Sequence, residues 1–193
     1  MPSASTLLGA AGEHLVMTEL LRRGYIAALA PQGVPNADIV VTDIEGQRLC
    51  SIQVKTRRDI GADGGWHMKP KHGTIRGDRM FYCFVDFGKT AEDRPLVYVL
   101  PSAIVAEAVS TSHSKWLETP GIKGQPHKDS QVRRLLPDYT RVFGSANNPY
   151  PKGWLDTYRD AWHLLKLESA PAEDGSDPSG ARQGRHDQSA NAG

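Results

Sequence analysis

Apolar positions recur at helical spacing where the chain begins. Leu8, Ala11, Leu15, Val16, Leu20 and Leu21 form one broad apolar side, which predicts a helix over Ser5–Arg23. Ser5 or Thr6 supplies a cap, Arg22 and Arg23 suit the last turn, and Gly24 is a natural stop. The pattern then shortens. Runs rich in β-branched residues predict strands at Tyr25–Ala30, Asp38–Asp43 and Gln47–Arg57, separated by the breaker-rich loop Pro31–Asn36 and a tight turn at Glu45-Gly46. Met80–Phe87 and Leu96–Leu100 are apolar strands, and Trp66–Met68 is a short strand inside a glycine-rich, basic stretch, Asp59–Arg79. Pro101-Ser102 opens a short helix ending near Val109. Residues 111–153 are polar and punctuated by proline and glycine, with a small helix expected at Ser130–Leu136. Leu155, Tyr158, Trp162 and Leu165 share a helical face, predicting a final helix over Trp154–Leu167. A helix, a run of mostly antiparallel strands and then helices make an α/β fold with a central mixed β-sheet flanked by helices.

The apolar pattern stops at Leu167. Residues 168–193 contain no Val, Ile, Leu, Met, Phe, Trp or Tyr. Such a segment cannot bury enough apolar surface to offset its ordering entropy, so a disordered tail is expected after a domain spanning 1–167. The net charge of +1 hides an asymmetry: the tail carries −3 and leaves +4 on residues 1–167. A basic body suits a polyanionic partner. The two cysteines, Cys50 and Cys83, lie in separate strand-like runs, which excludes a disulfide framework and a cysteine zinc site. With no run of 18 apolar residues and no secretory signal pattern, a cytoplasmic protein is expected. No phosphate-cradling GxxxxGK[ST] loop is present, nor a GxGxxG after a strand.

The second and third strands hold the sharpest feature. A hairpin centred on Glu45-Gly46 pairs residues whose numbers sum to 91, and any symmetric even loop about that centre does the same. Asp38 then lies opposite Gln53, with Cβ atoms roughly 4.5–5.5 Å apart on one face. Lys55 lies two residues beyond Gln53, on the same face. A carboxylate, an amide and an ammonium gathered there fit a surface strand with an Asp38–Lys55 pair, and equally a site for a small cation. The first helix adds a second carboxylate. Glu13 shares a side with Gly9, Val16, Met17 and Leu20, and a carboxylate on an apolar face needs a partner. Gly9 and Gly12 flank it, each at a helix-interior cost of roughly 1 kcal/mol relative to alanine, which fits close approach of a sheet or a nucleic-acid backbone.

In order, Gly12-Glu13, Asn36-Ala37-Asp38-Ile39-Val40-Val41 and Ile52-Gln53-Val54-Lys55-Thr56 resemble the motifs of the PD-(D/E)XK nuclease superfamily. Those are a helix glutamate, an aspartate opening a strand, and (D/E)-x-K on the next strand. Arg23-Gly24-Tyr25 and the IQVKT run look like its small prokaryotic endonuclease-like and Holliday-junction-resolvase-like branches, and the resemblance spans roughly residues 8–100. Ala37 stands where the pattern has proline, and Gln53 where it has an acid.

The resemblance implies a restriction-endonuclease-like core and a Mg²⁺- or Mn²⁺-dependent DNA endonuclease. Asp38 would be the main metal ligand, joined by the Gln53 amide oxygen and the Val54 carbonyl. Glu13 would hold a water beside the cation or approach a second one. Lys55 would orient or help deprotonate the attacking water. With Gln53 neutral, Glu13, Asp38 and Lys55 sum to −1, so weak metal affinity is expected. Residues 55–79 carry seven Lys and Arg against three acids, and Arg57, Arg58, Lys69, Lys71 and Arg76 are the candidate DNA contacts. Trp66 could stack on a base or pack in the core. A second basic group, Lys115, Lys123, Lys128, Arg133 and Arg134, could extend the footprint. Two further readings stay open: the same fold holding DNA without cutting it, and a protein-interaction scaffold. The resemblance also leaves a homodimer open.

Overall fold

The computed structural model describes residues 1–60, 64–121 and 123–167; the acidic tail, 168–193, lies outside the described residues. The first helix, α1, spans Ala4–Leu21. Its cap is Ser3, not Ser5 or Thr6: Ser3 Oγ accepts the Thr6 N–H at 3.1 Å. Gly24 ends it with φ at +81°, a conformation that disfavours any side chain.

Five strands follow in one sheet: β1 (Ile26–Leu29), β2 (Ile39–Thr42), β3 (Cys50–Arg57), β5 (Met80–Asp86) and β6 (Leu96–Pro101), in the order β1-β2-β3-β5-β6. Neighbours are antiparallel except β3 and β5, which run parallel. A parallel pair needs a long crossover. Here the crossover is the basic stretch after Arg57, and it holds β4 (Trp66–Met68) and a single 3₁₀ turn, Pro70–Gly73. β4 pairs with β7 (Arg133–Leu135), the segment expected to form a small helix.

The sheet is buried on both faces. On one side Cys50, Ile52, Val54, Cys83, Val85, Val97 and Val99 pack against Val16 and Leu20 of α1. On the other, Tyr82, Phe84 and Leu100 meet Trp66, Met68, Leu135 and the helix α2. α2 spans Ser102–Glu118, well beyond the expected end near Val109. The polar run that suggested a loop is absorbed by back-bonding: Ser110 Oγ donates to the Ala106 carbonyl at 2.7 Å and Ser112 Oγ to Val109 at 3.3 Å. A short helix, α3 (Thr140–Phe143), follows β7.

The expected last helix does not form. Residues 154–167 instead make two 3₁₀ turns, Asp156–Tyr158 and Trp162–Leu165, with Asp160 at φ +49° between them. Asp160 N–H donates to the Val97 carbonyl at 2.9 Å, and Arg159 bridges to Tyr98, so the segment straps the outer edge of β6. Leu155 enters the α2-side core while Trp162, Leu165 and Leu167 enter the α1-side core. A straight helix cannot serve both faces of a sheet.

The two helix glycines differ. A Cβ on Gly12 would sit 2.5 Å from Thr56 Cγ2, so Gly12 lets α1 lie directly on β3; around Gly9 nothing lies within 4 Å. Gly12→Ala is therefore expected to destabilise the fold by about 1–3 kcal/mol, while Gly9→Ala stabilises it by about 0.5–1 kcal/mol. Urea unfolding of both variants checks the opposite signs.

Candidate active site

The β2–β3 register is Ile39↔Ile52, Val40↔Ser51 and Val41↔Cys50, with the expected sum of 91, and the ladder ends at Ile39. The loop between these strands is wider than a two-residue turn, since the Asp43 carboxylate gathers the Gln47 and Arg48 N–H groups. Its centre is unchanged, so the pairing matches that predicted for the hairpin. Asp38 N–H donates to the Ile52 carbonyl at 2.8 Å, one residue off that register, and its side chain meets Gln53.

Asp38 Oδ2 is the focus of the site. It accepts the Gln53 side-chain amide N–H and, at 2.7 Å, the Val54 backbone N–H. Gln53 is buried, at 7% exposure, so the carboxylate satisfies a polar group that would otherwise be costly inside the sheet. Lys55 Nζ donates to the Val54 carbonyl at 3.2 Å. Gly12 on Thr56 brings the neighbouring Glu13 to the end of β3, within electrostatic reach of Lys55. Burial and the Asp38 carboxylate raise the Glu13 pKa above its usual value, against the pull of His14 and Lys55. Burial pushes the Lys55 amine below the ordinary lysine value; Asp38 and Glu13 oppose this, while Lys71 and Lys69 add to it. Glu13, Asp38, Gln53 and Lys55 are thus brought together, close enough for Asp38 to act on the ionisation of both Glu13 and Lys55.

The donor set suits a hard divalent cation: two carboxylates, an amide and a backbone carbonyl offer only oxygen once the Gln53 amide turns its Oε1 inward. Among the described residues no group of three or more His, Cys, Asp or Glu gathers to hold a metal. The acidic part of this site is Glu13 and Asp38 alone.

The basic candidates separate. Arg57 is engaged within the protein: Nε and a terminal nitrogen donate to Asp86 Oδ2 at 2.9 and 2.5 Å, another nitrogen donates to the Gly64 carbonyl, and the guanidinium lies 4.3 Å from the Trp66 ring centroid. Arg58 donates to the Lys89 carbonyl. Lys69, Lys71 and Arg76 are exposed on the crossover. Trp66 is 1% exposed, and its Nε1 donates to Val85 O at 2.9 Å, which settles it as a core residue rather than a base-stacking one.

Two residues outside the predicted site, Tyr82 and His72, complete the surroundings together with Lys71 and Asn36. Tyr82 stands opposite Gln53 across the parallel β3–β5 pair. Its hydroxyl lies 2.8 Å from Nδ1 of His72, which is buried in the crossover turn. Lys71 Nζ donates to Asn36 Oδ1 at 2.9 Å, two residues before Asp38. The shared face of Tyr82 and Gln53 depends on strand alternation plus the β3–β5 register, and no local signal marks that register.

Two solved structures similar to this chain are those of a homing endonuclease and a Holliday junction resolvase. The first is bacterial I-Ssp6803I, with TM-score 0.47 and 20% sequence identity over 86% of this chain and 92% of that one. The second is Hjc of the archaeal hyperthermophile Archaeoglobus fulgidus, with TM-score 0.38 and 15% identity over 66% of this chain and 82% of that one. No protein-family model and no curated protein matches the sequence. Among the described residues no helix is long and apolar enough to cross a membrane.

Proposed function

We propose that this chain is a Mg²⁺- or Mn²⁺-dependent DNA endonuclease built on a restriction-endonuclease-like core, with Glu13, Asp38, Gln53 and Lys55 as its active site. One observation carries this reading. The Gln53 amide and the Val54 N–H converge on one Asp38 oxygen, while Glu13 and Lys55 lie within electrostatic reach of that carboxylate.

Asp38, Glu13 and the Gln53 amide oxygen would hold the cation. When bound, it supplies charge relief on the phosphate and acidifies water. Asp38 stays fixed by the Val54 N–H, so its free oxygen keeps one direction. Glu13 accepts a hydrogen bond from the attacking water and sets its approach. Lys55 lies on the same face. Its lowered pKa makes the neutral amine more accessible than in a solvated lysine, so Nζ takes the water proton as the new P–O bond forms and the bond to the leaving sugar oxygen breaks. Lys69, Lys71 and Arg76 give the strand a cationic track. Such contacts provide affinity without sequence preference.

The test is incubation of supercoiled, linear and four-way-junction DNA with Mg²⁺ or Mn²⁺. Nicking or cutting that a chelator stops is the expected result, and the preferred substrate names the DNA shape. The second reading, a module that binds DNA without cutting, is favoured by one feature: Gln53 is neutral where a second strand carboxylate would attract metal more strongly. Salt-sensitive binding with no cleavage at high Mg²⁺ assigns that function. Neither binding nor cleavage overturns both and leaves a protein-interaction scaffold.

Gln53→Glu separates these readings further. A buried carboxylate beside Asp38 repels it, so the variant melts below wild type without divalent cation and recovers in Mg²⁺. Thermal melting with and without Mg²⁺ checks this.

A further inference from the structure

The 3₁₀ turn Pro70–Gly73 is pinned at three points. Below, His72 Nδ1 and the Tyr82 hydroxyl are 2.8 Å apart, with the rings edge to face at 5.7 Å. Both residues are buried, at 3% and 0% exposure. At the side, Lys71 Nζ donates to Asn36 Oδ1 at 2.9 Å. Behind, Gly73 is backed by Ser110 of α2, whose Cβ would lie 3.6 Å from an added Cβ. The pins join into a closed circuit around the active site: Asp38 to Gln53, across the β3–β5 pair to Tyr82, up to His72, along the turn to Lys71, and through Asn36 back to the start of β2.

The turn carries exposed Lys71, with exposed Lys69 at its start, and both act to lower the Lys55 amine while Asp38 and Glu13 act to raise it. Like charges on flexible stems spread apart unless their backbone is held. The circuit holds it. His72 suits a pin rather than a proton carrier: burial and the neighbouring Lys55, Lys71 and Lys69 lower its pKa to about 4, so the ring is neutral around pH 7 and its bond to Tyr82 does not titrate there.

We propose that the His72–Tyr82 hydrogen bond is a positioning device, fixing the crossover turn so that Lys69 and Lys71 stand beside Lys55 as a clamp on the phosphates of the DNA strand to be cut. This rests on reading the site as a DNA-cutting one. His72 and Tyr82 are positioning residues and touch no reacting atom; the clamp acts through the two lysines.

The experiment is DNA affinity against salt concentration, measured in chelator so that no cleavage intervenes. The proteins are wild type, Tyr82→Phe, the double variant Lys69→Ala/Lys71→Ala, and the triple combination. Each phosphate contact contributes about 0.9 to the slope of log affinity against log salt. The lysine double variant is expected to lower that slope by about 2, and Tyr82→Phe by about 1. In the lysine-free background Tyr82→Phe has no further effect on affinity.

Should Tyr82→Phe fail to fold, Asn36→Gly releases the lateral pin at the surface and keeps the left-handed backbone there, where φ is +63°. It is expected to lower the slope likewise. A slope unchanged in both Tyr82→Phe and Asn36→Gly, or an affinity loss from Tyr82→Phe equal with and without the lysines, overturns the clamp. It would make His72–Tyr82 a core-filling pair only, while DNA binding itself stands. Absence of salt-sensitive binding by wild type overturns the DNA-cutting function along with the clamp.

Discussion

Lys55→Ala is expected to reduce DNA cleavage by about 10³-fold while DNA binding survives. The size follows from the place of the amine. Lys55 sits on the Asp38–Gln53 face, its Nζ donating to the Val54 carbonyl within the site. Binding is expected to survive because the proposed grip comes from the exposed crossover lysines. The fold survives too. Burial already disfavours the Lys55 ammonium, so its removal is expected to leave the protein folded. Asp38 needs a different substitution. Alanine there strands the Gln53 amide and the Val54 N–H, at a cost of about 1–3 kcal/mol, whereas Asp38→Asn keeps an acceptor for the Val54 N–H and removes only the charge. A comparable loss of cleavage in Asp38→Asn, with melting temperature nearly held, separates chemistry from stability. Single-turnover cleavage and thermal melting of the two variants provide both readouts.

Arg57→Ala is expected to cost about 3 kcal/mol of stability and to leave the salt dependence of DNA binding unchanged. Composition places Arg57 among the DNA contacts, since it stands in a basic stretch two residues from Lys55. Its contacts give it another task. It donates twice to Asp86, whose side chain is 9% exposed, and its face lies on Trp66. Removing it leaves a buried carboxylate without its cation and uncovers the Trp66 ring. Arg57→Lys keeps the charge but loses the forked geometry and the stacking, so it recovers part of the loss only. Equilibrium unfolding, beside a salt titration of DNA affinity, checks both halves.

What could be read from the chain follows from how local each interaction is. The β2–β3 register, and with it the meeting of Asp38 and Gln53, was legible because a hairpin's register depends on the centre of its loop, and Gly46 marks that centre whether the loop is two residues or wider. The α1 boundaries were legible to within two residues because Gly24 stops the helix by its own conformation. The 154–167 segment misled because Leu155, Tyr158, Trp162 and Leu165 do repeat at helical spacing, yet they divide between two cores on opposite sides of β6. Residues 133–135 misled because their partner is β4, more than sixty residues earlier, and strand pairing at that distance outweighs a weak helical preference. The His72–Tyr82 pair was invisible for a similar reason. Each residue reads as ordinary in its own run, and only the crossover over a parallel strand pair brings them together beneath Lys69 and Lys71.

One measurement decides whether Asp38, Gln53, Glu13 and Lys55 form a cation-dependent phosphodiester-cleaving site. It is single-turnover nicking of a supercoiled plasmid by wild type, Asp38→Asn and Gln53→Glu across a Mg²⁺ titration. Wild type is predicted to nick, Asp38→Asn to fall by about 10³-fold, and Gln53→Glu to reach half its maximal rate at roughly tenfold lower Mg²⁺, since the site's formal charge goes from −1 to −2. Wild-type and Asp38→Asn rates that coincide at every Mg²⁺ concentration would contradict that assignment.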